Sequence, residues 1–302
     1  MRTDTFHKDW RQEFKRLEGA YSPATMRSYR ADVEAFENWC HANGIYTPFP
    51  ADAPIVCQFL EDQGEDKAAS TVQRRLYAIR KVHRLLKLPD PTYDEDIHLT
   101  FRKVKRSRPV RPKQAKGLTR DYLDLFLDSE PDTLRGLRNR AMLALGYELL
   151  TRRSEIIALR DSDIAEHADG TLRILIRRSK ADQFGKGRIA FTSKRTANLV
   201  LEWLDARGSA TEWLFCPIYN GKVIDRCLEA TTVRRVIKDA AARAGLTSDE
   251  VAEFSGHSMR VGAAQDLLKK GFDTAAIMRA GGWKSINVLA RYLEQAEQNV
   301  WQ

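Results

Sequence analysis

The sequence predicts a mainly α-helical protein with two domains and one small antiparallel β-sheet. Apolar residues recur at helical spacing in both halves of the chain. Two short β-rich runs flank a single glycine-containing loop, and a basic segment with two prolines separates the helical regions. With 302 residues, 43% of them hydrophobic, the chain is long enough for two cores. We expect a helical domain over residues 1–107, a linker over 108–117 and a second domain over 118–302.

The first domain is predicted to be a small bundle of antiparallel helices. Ser22 and Pro23 are typical of a helix start, as N-cap and first helical residue. The helices are expected to run from Ser22 to Gly44, from Asp52 to about Gly64 and from Ser70 to Leu88. The first of them has one apolar stripe that we expect to be buried, formed by Tyr29, Val33, Phe36 and Cys40.

The third of these helices and the segment after it are strongly basic. The helix carries Arg74, Arg75, Arg80, Lys81, Arg84 and Lys87, and no acidic residue lies between Lys67 and Leu88. Residues 101–116 contain eight basic residues, two prolines and no acid, a composition that predicts a linker and not a packed segment. These clusters and the net charge of +9 favour an anionic partner, most often nucleic acid.

Membrane proteins and zinc proteins are both disfavoured. A membrane-spanning helix needs about 20 apolar residues, and the sequence has no such run. The charged N-terminus has no signal-like apolar centre, so we expect a cytoplasmic protein. The cysteines form no CxxC pair and have no histidine cluster near them, which argues against zinc. Two of them, Cys40 and Cys57, are expected to be small buried hydrophobic residues.

The second domain is predicted to begin near Leu118, with Thr119 as a helix N-cap. Its helices include one with Leu137, Ala141 and Leu145 on a single face. Further helices are expected over residues 232–245 and 285–300. Between the helical parts lies the β signal, with β-rich runs at 171–178 and 188–191 on either side of a glycine-containing loop. That arrangement predicts a β-hairpin.

Four local patterns carry reactive side chains. Two arginines and a glutamate occur where a helix begins, at residues 151–155. Lys180 lies at the tip of the predicted hairpin, and residues 256–260 place a histidine and an arginine on one helix face. A Gly-Gly-Trp segment at 281–283 is followed nine residues later by Tyr292. Each pattern alone is also typical of an ordinary surface or core segment.

In this order and at these spacings the four patterns resemble the tyrosine recombinases, also called the phage integrase family. The likeness is strongest from Arg140 to Tyr292, and residues 255–266 and 277–283 are nearly the same as segments of that family. It is looser over residues 20–110. The resemblance implies a catalytic set formed by Arg152, Glu155, Lys180, His257, Arg260, Trp283 and the nucleophile Tyr292.

The resemblance also implies an activity. A member of this family is a site-specific recombinase that cleaves and rejoins DNA through a 3′-phosphotyrosine, with two domains that close as a clamp on the duplex. Its partner would be double-stranded DNA with an inverted-repeat recombination site, bound by a homodimer per site and a tetramer at synapsis. No metal or nucleotide cofactor is expected. Two alternatives stay open, a DNA-binding protein that has lost catalysis and an enzyme similar to type IB topoisomerases.

Basic residues outside the catalytic set are expected to contact DNA. They are Arg27, Arg74, Arg75, Arg80, Lys81, Arg102, Lys103, Lys105, Arg106, Arg234 and Arg235. Most of them are expected to bind phosphates, which positions a protein on DNA without specifying sequence. Base preference is expected to depend on Arg74, Arg234 or Arg235, because arginine can bind a guanine edge with two hydrogen bonds.

Overall fold

The computed structural model describes residues 9–107, 114–177 and 187–294. The chain divides into two compact units, Met1–Pro112 and Lys113–Gln302. Both are mainly helical, and the only strands among the described residues lie in the second unit, which confirms the predicted fold class. In the described ranges no helix combines the length and apolar character that a membrane span requires.

Five α-helices form the described part of the first unit. They are α1 (Trp10–Glu13), α2 (Pro23–Ala42), α3 (Ala53–Asp66), α4 (Ala69–Leu86) and α5 (Glu95–Ser107), with 3-10 turns at Phe14–Leu17 and Pro91–Tyr93. The predicted start of α2 is confirmed, since the Ser22 side chain accepts a hydrogen bond from the Thr25 N–H. The start of α4 was predicted one residue late, because Ala69 already belongs to the helix.

The core of the first unit is built around the apolar stripe of α2. Val33, Phe36 and Cys40 are fully buried, as predicted. The ring of Phe36 meets that of Phe59 edge to face, with centroids 5.0 Å apart. The short α1 was not predicted, although it inserts the buried Trp10 into this core. Helix α1 and the 3-10 turn after it make up only about two helical turns. They contain too few apolar residues for a periodic signal.

The prediction of a linker from residue 101 is wrong for its first part. Residues 101–107 form the second half of α5, in which Ile97, Thr100 and Val104 are buried. Gly64 of α3 leaves room for Val104, whose methyl carbon would lie 2.8 Å from a β-carbon at that glycine. Three buried positions at spacings of three and four are enough for an amphipathic helix. The high charge of the segment, which suggested a linker, belongs to its exposed face.

Nine α-helices belong to the described part of the second unit. They are α6 (Arg120–Asp128), α7 (Leu134–Glu148), α8 (Arg153–Ile156), α9 (Lys194–Arg207), α10 (Ala230–Arg243), α11 (Ser248–Glu253), α12 (Ser258–Lys269), α13 (Thr274–Gly281) and α14 (Ile286–Leu293). Helix α7 crosses the core and is buried along most of its length. Thr119 is the residue that precedes α6, as predicted. The last helix was predicted to reach residue 300, and residues 295–302 lie outside the described part.

A three-stranded antiparallel sheet covers one side of this core. Its strands β1 (Ile164–Glu166), β2 (Leu172–Ile176) and β3 (Arg188–Phe191) are hydrogen-bonded in that order. The predicted hairpin is confirmed by the pairing of β2 with β3, in which Ile176 faces Arg188. Strand β1 was not predicted. A second, two-stranded sheet joins β4 (Ile218–Tyr219) to β5 (Lys222–Val223).

Candidate active site

The turn between α7 and α8 presents Arg152. Leu150 in this turn has a positive φ of 48°, and Arg152 is the N-cap residue of α8. The buried side chain of Glu155 accepts a hydrogen bond from the Arg152 N–H at 3.0 Å and another from its guanidinium at 2.5 Å. Glu155 therefore orients Arg152 through both backbone and side chain.

Arg260 on α12 reaches the same turn. Its side chain is fully buried, and one terminal nitrogen donates to the Leu150 carbonyl. Within the described residues its Nε and its second terminal nitrogen are buried and have no hydrogen-bond partner. Burial lowers the pKa of Arg260 to about 10, so the guanidinium is still positively charged at neutral pH. A buried charge with unused donors is costly unless an anion satisfies it.

Trp283 closes the site through a turn that two glycines make possible. Gly282 has a positive φ of 65°, and a β-carbon at Gly281 would overlap the Trp283 ring. The indole is buried, and its Nε1 has no hydrogen-bond partner among the described residues. The guanidinium carbon of Arg260 lies 3.7 Å from the centroid of this ring. Trp283 therefore offers one more N–H donor beside those of Arg260.

Tyr292 lies next to this pair on α14. Its ring is half-buried and meets the Trp283 ring edge to face, with centroids 5.3 Å apart. Its backbone carbonyl accepts a hydrogen bond of 3.3 Å from the side-chain amide of Gln265 on α12. The apolar contact of this helix with the core is made by the buried Leu289. The ring of Tyr292 is therefore at the edge of the core, beside the indole of Trp283.

His257 caps the helix that carries Arg260. Its backbone N–H donates to the Ser255 hydroxyl at 3.1 Å, and its side chain is exposed. The two residues were expected on one helix face, but His257 precedes the helix as its N-cap, whereas Arg260 lies within it and is fully buried. Lys180, the remaining member of the predicted set, lies outside the described residues, which omit 178–186.

Arg188 is a part of this site that sequence reasoning missed. It is the first residue of β3, and its terminal nitrogens donate to the carbonyls of Ala280 at 2.7 Å and Leu149 at 2.5 Å. One of them also lies 3.9 Å from a carboxylate oxygen of Glu155. Burial lowers the pKa of Arg188 to about 10. No motif in the sequence distinguishes this arginine from others at strand ends.

The charges of the site do not balance. Arg152 and Arg188 approach the carboxylate of Glu155 at 2.5 and 3.9 Å, and Arg260 is close enough to interact with it electrostatically, so three arginines face one carboxylate within the described part of the chain. The excess positive charge and the unused N–H donors of Arg260 and Trp283 favour binding of a tetrahedral oxyanion. A phenol lies beside that position. This combination can bind a phosphodiester and attack its phosphorus.

Several basic side chains of α4 have hydrogen-bond partners that the sequence of the helix does not indicate. Arg74 forms two hydrogen bonds of 2.6 and 2.9 Å with the buried carboxylate of Asp32 on α2. Arg80 donates to the Thr92 hydroxyl at 2.7 Å, and Lys81 donates to the Tyr21 hydroxyl at 2.8 Å. Although no acidic residue lies between Lys67 and Leu88, these three cations therefore have hydrogen-bond partners from other segments of the chain.

The other predicted DNA contacts differ in their setting. Exposed positions on helices include Arg27, Arg102, Lys103, Lys105, Arg106, Arg234 and Arg235. Arg75 is half-buried, and its Nε has no hydrogen-bond partner within the described part of the chain. The four basic residues from 102 to 106 lie on the ordered surface of α5 and not in a linker.

Two family models match the chain. Residues 116–299 match the model described as "Phage integrase family", and residues 12–88 match "Phage integrase, N-terminal SAM-like domain". The chain is 28% identical over 292 residues to an integrase/recombinase xerD homolog of Selenomonas ruminantium, covering 93% of this chain and 84% of that protein. It is also 28% identical over 298 residues to recombinase cre of Escherichia phage P1, covering 92% and 86%.

Solved structures share the fold at lower identity. The XerH site-specific recombinase bound to palindromic difH substrate aligns with a TM-score of 0.67 and 19% identity, over 94% of this chain and 79% of that chain. A lambda integrase dimer bound to a COC′ core site aligns with a TM-score of 0.61 and 17% identity, over 96% and 77%.

Proposed function

The chain belongs to the phage integrase family of tyrosine recombinases, and from this premise we propose that it is a site-specific DNA recombinase that uses Tyr292 as its nucleophile. The observation that carries this proposal is the buried cationic site beside the phenol, where Arg260 and Trp283 keep unused N–H donors. Residues 118–302 form the catalytic domain in this proposal, and residues 1–107 form a DNA-binding domain.

The arginines supply the electrostatic part of the mechanism. Arg152 and Arg260 bind the non-bridging oxygens of the scissile phosphate, and Trp283 donates its indole N–H to the same group. Negative charge grows on these oxygens as the phosphorus becomes five-coordinate, so fixed donors stabilise the transition state more than the ground state. Glu155 keeps Arg152 in place through its two short contacts.

Cleavage and rejoining are the same displacement run in two directions. The Tyr292 oxygen attacks phosphorus, the bond from phosphorus to the 5′ oxygen breaks, and a 3′-phosphotyrosine forms. His257 receives the phenol proton, and Lys180 gives a proton to the departing 5′ oxygen. A 5′-hydroxyl then attacks the phosphotyrosine and releases Tyr292. The energy of the broken bond is kept in the covalent intermediate, so rejoining requires no nucleotide.

We further propose that the substrate is duplex DNA with an inverted-repeat site, bound by two protomers and paired as a tetramer during strand exchange. Support comes from the family and from the lambda integrase structure, in which a dimer is bound to a core site. A two-fold protein assembly matches a two-fold DNA sequence, since each protomer then meets the same half-site.

Selection and trapping test the proposal together. The purified protein selects duplexes from a random library, and the recovered site is rebuilt with a nick close to the scissile phosphate. Cleavage then frees a short fragment that carries the new 5′-hydroxyl. Because this fragment diffuses away, rejoining is prevented. Wild-type protein is expected to form a covalent adduct on denaturing electrophoresis, whereas Tyr292→Phe binds the duplex and forms none. Binding without any adduct in the wild type would identify a catalytically inactive DNA-binding protein.

Two other tyrosines are considered as alternative nucleophiles. Tyr219 is exposed, and Tyr219→Phe is expected to form the adduct at the wild-type rate. The Tyr147 hydroxyl donates to Asp266 at 2.6 Å, and burial together with that carboxylate raises its pKa, which disfavours it as a nucleophile. An adduct formed by Tyr292→Phe but not by Tyr219→Phe would move the nucleophile to Tyr219. A further assay looks for products in which strands from two different duplexes are joined. Such products identify recombination, whereas a topoisomerase-like enzyme would only relax DNA.

A further inference from the structure

Arg188 connects two turns that are far apart in the sequence. It is the first residue of β3, and one terminal nitrogen donates to the Leu149 carbonyl at 2.5 Å while the other donates to the Ala280 carbonyl at 2.7 Å. We propose that Arg188 is a positioning residue that holds these two turns, and with them Arg152 and Trp283, at a fixed separation. This inference rests on the proposed function, since it concerns the geometry of the same site.

The first turn contains much of the phosphate-binding geometry. Leu149 precedes Leu150, whose φ is positive and whose carbonyl accepts a hydrogen bond from Arg260. Arg152 follows two residues later as the N-cap of α8. A non-glycine residue with positive φ is held there only by its surroundings. The bond from Arg188 to the Leu149 carbonyl is one such restraint, and it acts directly before the strained position.

The second turn positions the indole. Ala280 precedes the two glycines and Trp283, and Gly282 adopts a positive φ. The packing at this point is close, because a β-carbon at Gly282 would lie 3.1 Å from the Cδ of Arg188. The side chain of Arg188 therefore supports the Gly-Gly turn by both a hydrogen bond and direct contact. Since the Arg260 guanidinium lies over the Trp283 ring, a shift of this turn would also move the unused donors.

The contacts of Arg188 assign it this role and not that of a phosphate ligand. Both of its terminal nitrogens are used on backbone carbonyls, and one also approaches Glu155 at 3.9 Å. Arg260 differs, because it uses one terminal nitrogen on a carbonyl and keeps the other unpaired within the described residues. Glu155 also orients Arg152. Arg188 therefore approaches the carboxylate that holds Arg152, in addition to bonding to the turn that precedes Arg152.

Three variants test the proposal. Arg188→Met keeps the apolar length of the side chain and removes both hydrogen bonds, whereas Arg188→Lys can satisfy one carbonyl at a time. Arg173→Met is the matched control on the neighbouring strand β2, because Arg173 makes no side-chain hydrogen bond or ion pair within the described ranges. Each full-length variant is measured at saturating concentrations of the selected nicked duplex for single-turnover adduct formation, and separately for duplex affinity.

Adduct formation by Arg188→Met is expected to be roughly 100-fold slower than by the wild type, the size of effect that a misplacement of about 1 Å produces. Arg188→Lys is expected to be intermediate, and Arg173→Met is expected to match the wild type. Duplex affinity should change by less than a factor of about three in all of them. A cleavage rate of Arg188→Met within threefold of the wild type overturns the proposal, and so does a defect confined to duplex affinity.

A measurement without DNA separates this proposal from the proposed function. Amide hydrogen exchange of the free protein should become faster in Arg188→Met at residues 149–153 and 279–283, and stay unchanged in the helices of the first unit. Two results together would overturn the positioning role: faster exchange of Arg188→Met throughout the second unit, and wild-type cleavage by Arg188→Lys. They would show that Arg188 only stabilises the second unit in general. If the wild type forms no adduct while exchange changes at the two turns, the restraint is real and the recombinase proposal fails.

Discussion

The guanidinium of Arg260 lies over the indole of Trp283, with its central carbon 3.7 Å from the ring centroid. Both residues are buried, and each keeps at least one N–H that has no partner within the described residues. The stacking positions the cation, and the free N–H groups are left for an incoming anion. The pair is thus the proposed oxyanion site, and its two parts come from α12 and from the turn after α13.

Replacing the indole tests whether its N–H is used. Trp283→Phe should slow single-turnover adduct formation by roughly 10- to 100-fold, because a hydrogen bond to a charged group contributes about 1.5–3 kcal/mol. Trp283→His keeps a ring N–H and should recover part of the rate. Thermal unfolding of both variants controls for loss of packing. Equal rates for Trp283→Phe and the wild type would show that the donor plays no part in the reaction.

The excess positive charge predicts independence from divalent metal ions. Arg152 and Arg188 lie against the carboxylate of Glu155 and Arg260 adds a third positive charge nearby, so a divalent cation would be repelled from the position where the phosphate is expected. We expect adduct formation at the same rate in excess EDTA and in millimolar Mg²⁺ at matched ionic strength, without nucleotide. A strict requirement for added Mg²⁺ would contradict the arginine-based mechanism.

Basic residues on the exposed face of α5 should contribute affinity without sequence preference. A variant in which Arg102, Lys103, Lys105 and Arg106 are all replaced by Gln should bind every duplex more weakly. Its log–log salt dependence should become shallower by about 0.9 for each phosphate that the variant no longer neutralises. Titrations at several salt concentrations, with the selected site and with unrelated duplexes, measure both effects. A weaker base preference in this variant would mean that the cluster touches bases.

The ion pair between Arg74 and Asp32 predicts that Arg74 affects stability as well as base preference. Arg74→Ala leaves the buried carboxylate with Arg75 at 3.9 Å as its remaining cationic partner among the described residues. We expect the free energy of unfolding to fall by roughly 1–3 kcal/mol, measured by urea denaturation. Arg27→Ala, an exposed position on α2, is the control and should have no comparable effect. Binding to single-base variants of the selected site tests the base preference of Arg74.

The buried His83 predicts that the first unit loses stability in mild acid. Its Nε2 accepts from the Ala51 N–H at 2.9 Å, and its Nδ1 lies 2.9 Å from the Ile79 carbonyl, an arrangement that suits the neutral ring. Burial lowers its pKa below the ordinary value of about 6.5. The unfolded chain therefore binds more protons between these two pKa values, and stability falls as the pH decreases from about 6.5 toward the folded pKa.

Urea denaturation between pH 7.5 and 5.5 measures this effect. His83→Gln should be less stable at pH 7.5 and should lose less stability on acidification than the wild type. The exposed His98 supplies the control, and His98→Gln should keep the wild-type pH dependence. An unchanged pH dependence in His83→Gln would assign the acid sensitivity to carboxylates.

Local patterns predicted much of the site because its parts are short and periodic. The helix start at Arg152 and the hairpin formed by β2 and β3 each depend on residues within a few positions of one another. The restriction to short-range patterns also explains why other parts of the prediction were wrong. The charge of residues 101–107 predicts a linker, although three buried positions between residues 97 and 104 hold α5 in the fold.

The sequence alone was sufficient to predict helices α2 to α4, the hairpin and the types of side chain available for the chemistry, since each depends on backbone preference and short-range spacing. Only the tertiary structure decided which charges are paired. Asp32 reaches Arg74 across 42 residues, and Arg188 reaches Ala280 across 92. Burial gives such contacts their strength, because an unpaired polar group inside a protein is costly. Burial is a property of the assembled core, so no local stretch of the chain encodes it.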